Sequence, residues 1–125
     1  MDRSEFKRVR KRLEKTQKQM AQLLGVSLKA VHSYEQGWRA VPPAVERQLY
    51  FLVSRQTLTG ARPPCWEKKG CPPSRKAQCP AAEFNSGDLC WLVNGSLCSG
   101  ADQGSWEGKM AFCRSCPVFT SQIAL

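Results

Sequence analysis

Seven cysteines, Cys65, Cys71, Cys79, Cys90, Cys98, Cys113 and Cys116, fall within the second half of this 125-residue chain. The last two form Cys113-Arg114-Ser115-Cys116-Pro117, and two thiolates at that spacing can clamp one metal ion from a turn. Zinc sites, iron–sulfur clusters and dithiol redox sites all use it. A thioredoxin-like redox site is disfavoured, because no βαβ pattern surrounds the pair. The other five cysteines strengthen the case for metal. The single histidine, His32, lies in the other half, so zinc would need four cysteines, or three with a carboxylate or water. Seven do not divide into two four-thiolate sites. A 4Fe–4S cluster on four of them, with thiols left for redox chemistry, is one solution. Zinc beside a reactive thiol set is another. All seven are candidate ligands.

A second chemistry lies in the charge. The chain carries a net +9. Residues 1–57 hold 12 basic and 5 acidic side chains and residues 58–125 hold 7 and 5, so a polyanionic partner is expected at the first half. Nucleic acid and an anionic membrane surface both suit such a surface. No run approaches the roughly 20 apolar residues that span a bilayer. The charged stretch Met1–Lys18 does not resemble a signal peptide. A cytoplasmic location is therefore expected, where thiols stay reduced and clustered cysteines favour metal over disulfides.

The elements that must position these residues differ between the halves. Residues 3–57 read as helical. Phe6, Val9 and Leu13 share one helical face. Thr16 and Gln19 have the form of a capping box that starts a second helix, with Met20, Ala21 and Leu24 inward and Gly25 closing it. Ser27 caps a third helix with Val31 and Tyr34 inward, and Gly37 ends it. Pro42-Pro43 opens a fourth, with Val45, Leu49 and Leu52 on its buried side. Residues 58–64, with Thr, Gly and two prolines, read as a linker.

Residues 65–125 show no sustained helical period and are punctuated by glycine and proline. About 60 such residues cannot bury much core and need a staple. There is an internal echo: Cys65-Trp66, Cys71 and Cys79-Pro80 against Cys90-Trp91, Cys98 and Cys116-Pro117. Trp66 and Trp91 read as core, with cluster shielding as the functional alternative. Lys68, Lys69 and Lys109 read as surface charges that can also lower nearby thiol pKa values.

Thr16-Gln17, Met20-Ala21, Leu24-Gly25-Val26-Ser27, Val31, Ser33-Tyr34-Glu35, Gly37 and Arg39 resemble the phage-repressor (Cro-like, or XRE) helix-turn-helix family over roughly residues 5–55. The resemblance implies a lambda-repressor-like bundle of four or five helices, with residues 27–36 as the recognition helix in the major groove. It places Ser27, Leu28, Lys29, His32 and Ser33 at the DNA. Lys29 suits guanine O6 or N7 and Ser33 either donates or accepts. Leu28 departs from the family's usual polar residue and either covers a thymine methyl or is idle. Gln17 and Arg39 match phosphate contacts, Lys15 and Lys18 flank Gln17, and Glu35 pairs with a basic residue of the first helix, here Arg10. Trp38 is bulkier than the family norm and either packs on the sugar-phosphate backbone or covers the core. Relatives bind double-stranded DNA as dimers, so a homodimer is implied.

In the second half, Cys65-Trp66, Cys71, Cys79-Pro80, Gly87-Asp88-Leu89-Cys90-Trp91, Cys98, Lys109 and Cys113-x-x-Cys116 resemble the small "two-CW" module of bacterial signalling proteins, over about residues 64–121. The resemblance implies a sensory role and a metal or cluster.

The expected architecture is an all-α helix-turn-helix domain (1–57), a linker (58–64) and a small irregular cysteine-rich domain stapled by metal (65–125). The expected function is a non-enzymatic, DNA-binding regulator that senses redox state, oxygen or metal. One alternative keeps DNA binding with a purely structural zinc. The other is a thiol redox or electron-transfer protein, which no acid–base constellation or phosphate loop supports.

Overall fold

The computed structural model describes residues 1–57, 64–93 and 104–123. Cys98 and all of the expected linker except Pro64 lie outside them. Every regular element among the described residues is helical, with no strand. Packing divides the chain into two units, the first 58 residues with the last three, and Thr59–Gln122.

The first unit contains α1 (Arg3–Arg12), α2 (Gln17–Leu24), α3 (Leu28–Gln36) and α4 (Pro43–Thr57). Their ends are set by local chemistry. Asp2 caps α1 by accepting from the Glu5 N–H at 2.8 Å. Thr16 and Gln19 close a reciprocal capping box on α2, each accepting the other's backbone N–H. Gly25 turns the chain out of α2 with φ +67. A Cβ there would meet nothing within 4 Å, so the backbone conformation, not space, calls for glycine. Two residues later the Ser27 hydroxyl accepts from the Ala30 N–H at 3.0 Å and starts α3. The α2–α3 connection is thus only Gly25-Val26-Ser27.

Helix α3 packs against both α1 and α2, and α1 also meets α4. Phe6, Val9, Met20, Val31, Leu49, Tyr50 and Val53 are fully buried, and the Phe6 and Tyr34 rings stand 5.5 Å apart. Leu52, expected on the buried side of α4, is only half-buried. The inward stripe runs through Val45, Leu49 and Val53 at four-residue steps with Tyr50 beside it, which leaves Leu52 at its edge. The Gln48 side-chain amide donates to the Leu23 carbonyl at 3.2 Å, satisfying an acceptor near the end of α2.

One buried carboxylate joins three of these helices. Glu35 on α3 accepts from both Nε and Nη2 of Arg10 on α1, and from the Gln17 side chain on α2 at 2.7 Å. Arg10 also donates to the Lys15 carbonyl at 3.0 Å, pinning the α1–α2 connection. The pairing expected from sequence is therefore present. Burial pushes the Glu35 carboxyl up, but the hydrogen bonds from Arg10 and Gln17, with the charges of Arg10 and Lys7, outweigh it and hold the group below the usual carboxylate range.

The second unit corrects the expectation of an irregular chain: among the described residues it is built from short helices. These are α5 (Cys65–Lys68), α6 (Pro73–Lys76), α7 (Pro80–Glu83), a 3₁₀ turn (Cys90–Leu92), α8 (Trp106–Cys113) and α9 (Pro117–Gln122). Prolines start three of them, where a missing N–H costs nothing. The sequence echo has a structural meaning: each Cys-Trp pair opens a helical turn, and each Cys-Pro pair places cysteine just before a helix. The core is Trp91, Trp106, Met110, Val118 and Phe119 with the buried cysteines. The Trp91 and Phe119 rings meet edge-on at 5.8 Å.

Loss of the Glu35 network should unlock the first unit. Glu35→Ala leaves Arg10 without its carboxylate and should cost about 2–3 kcal/mol, less than for a fully buried pair because Arg10 is partly exposed. Urea unfolding followed by helical circular dichroism measures this. Because the folded carboxyl ionises more readily than the unfolded one, its stabilisation is present above the ordinary glutamate pKa and is lost as pH falls through the lowered value. Glu35→Gln should therefore flatten the acid side of the stability–pH curve.

Candidate functional site

On the first unit, α3 divides into two faces. Ala30, Val31, Ser33, Tyr34 and Glu35 are buried, while Leu28, Lys29, His32 and Gln36 are exposed. Leu28 is half exposed. Lys29 and His32 lie three residues apart, on one outward stripe with Leu28. Ser33 was expected on that stripe and is not: it is 7% exposed, inside the inward arc between Ala30 and Tyr34. Its carbonyl accepts the Trp38 N–H at 3.0 Å where α3 closes at Gly37. A residue so placed cannot reach outward.

The remaining candidates sort by what already engages them. Lys18 is exposed at the start of α2. The Gln17 side chain is half-buried and spent on Glu35. Ser27 is exposed, with its hydroxyl engaged as the α3 cap. Arg39 is exposed, and its guanidinium carbon sits 5.6 Å from the centroid of the Tyr34 ring. Trp38 is 71% exposed and does not cover the core. It meets His32 edge-on, ring centroids 5.4 Å apart. The outward surface thus consists of a lysine, an imidazole, an indole and a leucine, flanked by further cations. Such a surface suits a ligand with both negative charge and flat or methyl-bearing apolar edges.

In the second unit, Cys65 and Cys90 each open a helical turn, and the Cys90 thiol helps to lower the pKa of Cys65. Both are buried, as are Cys113 and Cys116, while Cys71 and Cys79 are partly exposed. Cys113 ends α8 and Cys116 precedes α9, with the Cys116 N–H donating to the Cys113 carbonyl at 2.8 Å. Lys109, expected at the surface, is instead 2% exposed. It shares one face of α8 with Trp106, Met110 and Cys113, all buried, and its charge acts on Cys65.

The Cys65 thiol is drawn down to about 7. The hydrogen bond from Cys90 lowers it, burial pushes it back up, and the N–H groups of Trp66 and Cys65 with the Lys109 charge lower it further. Lys68 and Lys69 are exposed, as expected.

Two features hold Cys65 and Cys90 in place. The Cys65 N–H donates to the Gly87 carbonyl at 2.7 Å, and a Cβ on Gly87 would lie 2.5 Å from Pro64 Cβ and 2.6 Å from the Trp66 ring. Only glycine permits that approach. On the other side, the buried Gln122 amide accepts from Trp91 Nε1 at 3.0 Å and donates to the Asp88 carbonyl. It therefore clamps both flanks of Cys90 to α9. Trp66 is half-buried, with the Lys76 ammonium 4.5 Å from its ring centroid.

Among the described residues, no three Cys, His, Asp or Glu side chains converge closely enough to hold a metal ion. Neither a 4Fe–4S cluster nor zinc finds a ligand set there, and Cys98 lies outside those residues. No helix among them is long and apolar enough to cross a membrane. Compared with protein-family models, curated proteins and solved structures, the chain matches none.

The role of Lys109 has a direct measure. Lys109→Met keeps the buried stem and removes the charge. It should move the Cys65 ionisation, followed by ultraviolet thiolate absorbance, upward from about 7.

Proposed function

We propose that this protein is a sequence-specific DNA-binding regulator of the helix-turn-helix type, with the cysteine-bearing unit as its sensory half. The DNA-binding role rests on one observation above all: α3 joins α2 by a three-residue turn and exposes Leu28, Lys29 and His32 on one stripe. A capped, exposed, cationic helix of this size fits the major groove of B-DNA. The charge of the first 57 residues, 12 basic against 5 acidic, supplies the sequence-independent attraction.

Within this role the residues divide the work. Lys29 reads a guanine edge, His32 adds a donor, and Leu28 covers a thymine methyl. Lys18 and Arg39 hold phosphates. Gln17 serves by bracing Glu35, which leaves phosphate contact at this corner to the amino end of α2. Trp38 lies against the sugar-phosphate backbone beside His32. Ser33 takes no part. Two copies would bind half-sites about 34–36 Å apart.

The sensory role rests on two buried thiols, Cys65 and Cys90, and a buried lysine, Lys109, which act together to draw the Cys65 pKa down to about 7. Oxidation or ligation of those thiols would bias the DNA-bound state to the extent that the two states differ in affinity for duplex.

Selection from a random duplex library, followed by fluorescence anisotropy across salt concentrations, tests the DNA role. A steep fall of affinity with salt and a defined preferred site are expected. Lys29→Ala should lose about 1–3 kcal/mol of discrimination at one base position. Lys18→Ala should weaken all sequences alike and reduce the salt slope by about one. Ser33→Ala should bind as the parent does. No selected sequence, with affinity equal for every duplex, would reject the proposal.

A further inference from the structure

We infer that Trp38 is a positioning residue for base recognition: it braces the His32 imidazole, so that the two side chains read one base position as a single unit. This deepens the DNA-binding role above and rests on it. The carrying observation is a contact between two outward side chains. Trp38 is 71% exposed, yet its indole meets the exposed His32 ring edge-on, with centroids 5.4 Å apart and the ring planes at 77°. Aromatic pairs favour that arrangement.

The indole is carried by a fixed stretch of backbone. Gly37 closes α3 with φ +77. The Trp38 N–H donates to the Ser33 carbonyl at 3.0 Å and the Gly37 N–H to the Tyr34 carbonyl at 3.3 Å, which together make a Schellman closure. The Arg39 N–H donates to the same Ser33 carbonyl at 3.4 Å. A Cβ on Gly37 would lie 3.2 Å from the Arg3 Cδ, so the turn is held from the α1 side as well. The closure of α3 thereby returns the chain to the outward stripe, where Trp38 reaches His32. Lys29 is exposed on that stripe, three residues before His32.

A free, exposed imidazole must give up rotamer freedom when it binds a base edge. One already held against an indole gives up less, and its ring plane is set before the duplex arrives. A hydrogen bond to a base needs that direction, because it weakens steeply when misaligned. Trp38 adds nothing to the core of the first unit, whose fully buried side chains lie on α1 to α4. Its removal should therefore spare the fold and alter recognition.

His32 is the only histidine in the chain, so its imidazole proton signals stand alone in the NMR spectrum of the full protein. In the absence of DNA they should carry a ring-current shift that Trp38→Ala removes and Trp38→Phe partly restores. Binding is then measured on the duplex selected by the parent chain and on its single-base variants. Trp38→Ala should lose roughly fivefold in discrimination at the same base position as His32→Ala, and little elsewhere. The double variant should discriminate no worse than His32→Ala alone, Trp38→Phe should recover part of the loss, and thermal unfolding of Trp38→Ala should match the parent. Equal weakening on every duplex, additive with His32→Ala, would make Trp38 a backbone contact only and overturn the inference. Imidazole signals indifferent to Trp38→Ala would overturn it too. A parent chain that selects no duplex, with the ring-current shift still present, would instead reject the DNA-binding role and this use of the contact with it.

Discussion

A single buried carboxylate governs the first unit. Glu35 gathers Arg10 from α1 and Gln17 from α2, so three helices share one charged centre. Apolar contact alone would let short helices of eight to ten residues slide or rotate, since hydrophobic burial has no direction. A bidentate guanidinium and a side-chain amide do have direction. With Glu35 fixed inward, the opposite side of α3 must face outward, and Lys29 and His32 with it. The arrangement of the exposed stripe is thus the reverse image of a buried ion pair.

The second unit solves a different problem. Its helices are mostly a single turn, too short to hold themselves, and they depend on pairings that are distant in sequence. Gln122 from α9 clamps the segment around Cys90, and Gly87 receives Pro64 and Trp66 at a distance no side chain would allow. The buried Lys109 is the cost of this core, because a buried ammonium needs compensating partners. A neighbouring thiol that ionises more readily than usual is one such partner. Structure and chemistry are hard to separate at this point: the same charge that must be satisfied to fold the unit also activates a sulfur.

Charge distinguishes the two units. The first carries most of the excess cations and keeps them on the surface, apart from Arg10, which is tied to Glu35, and Arg47, which is half-buried. The second is nearly balanced and, among the described residues, directs Lys109 inward. A surface of the first kind attracts polyanions over a Debye length, whereas a cation of the second kind acts only on its immediate neighbours.

Local signals fixed much of the first unit. The capping box of Thr16 and Gln19, the cap at Ser27, the left-handed turns at Gly25 and Gly37 and the proline-led start of α4 are chemistry within a few residues, legible without tertiary contacts. The Arg10–Glu35 pair was legible too, through the family resemblance. Leu52 and Ser33 were not, because a residue at the margin of a helical stripe is assigned inward or outward only by the neighbour that packs against it. In the second unit, the buried face of α8 runs Trp106, Lys109, Met110, Cys113, a helical period disguised by a lysine. The cysteines announced reactive chemistry by their number, but spacing pointed to Cys113 and Cys116. Only the folded chain decides that Cys90, 25 residues away, lowers the pKa of Cys65, since the influence of distant groups on one another depends on how intervening helices pack and leaves no mark in the local pattern.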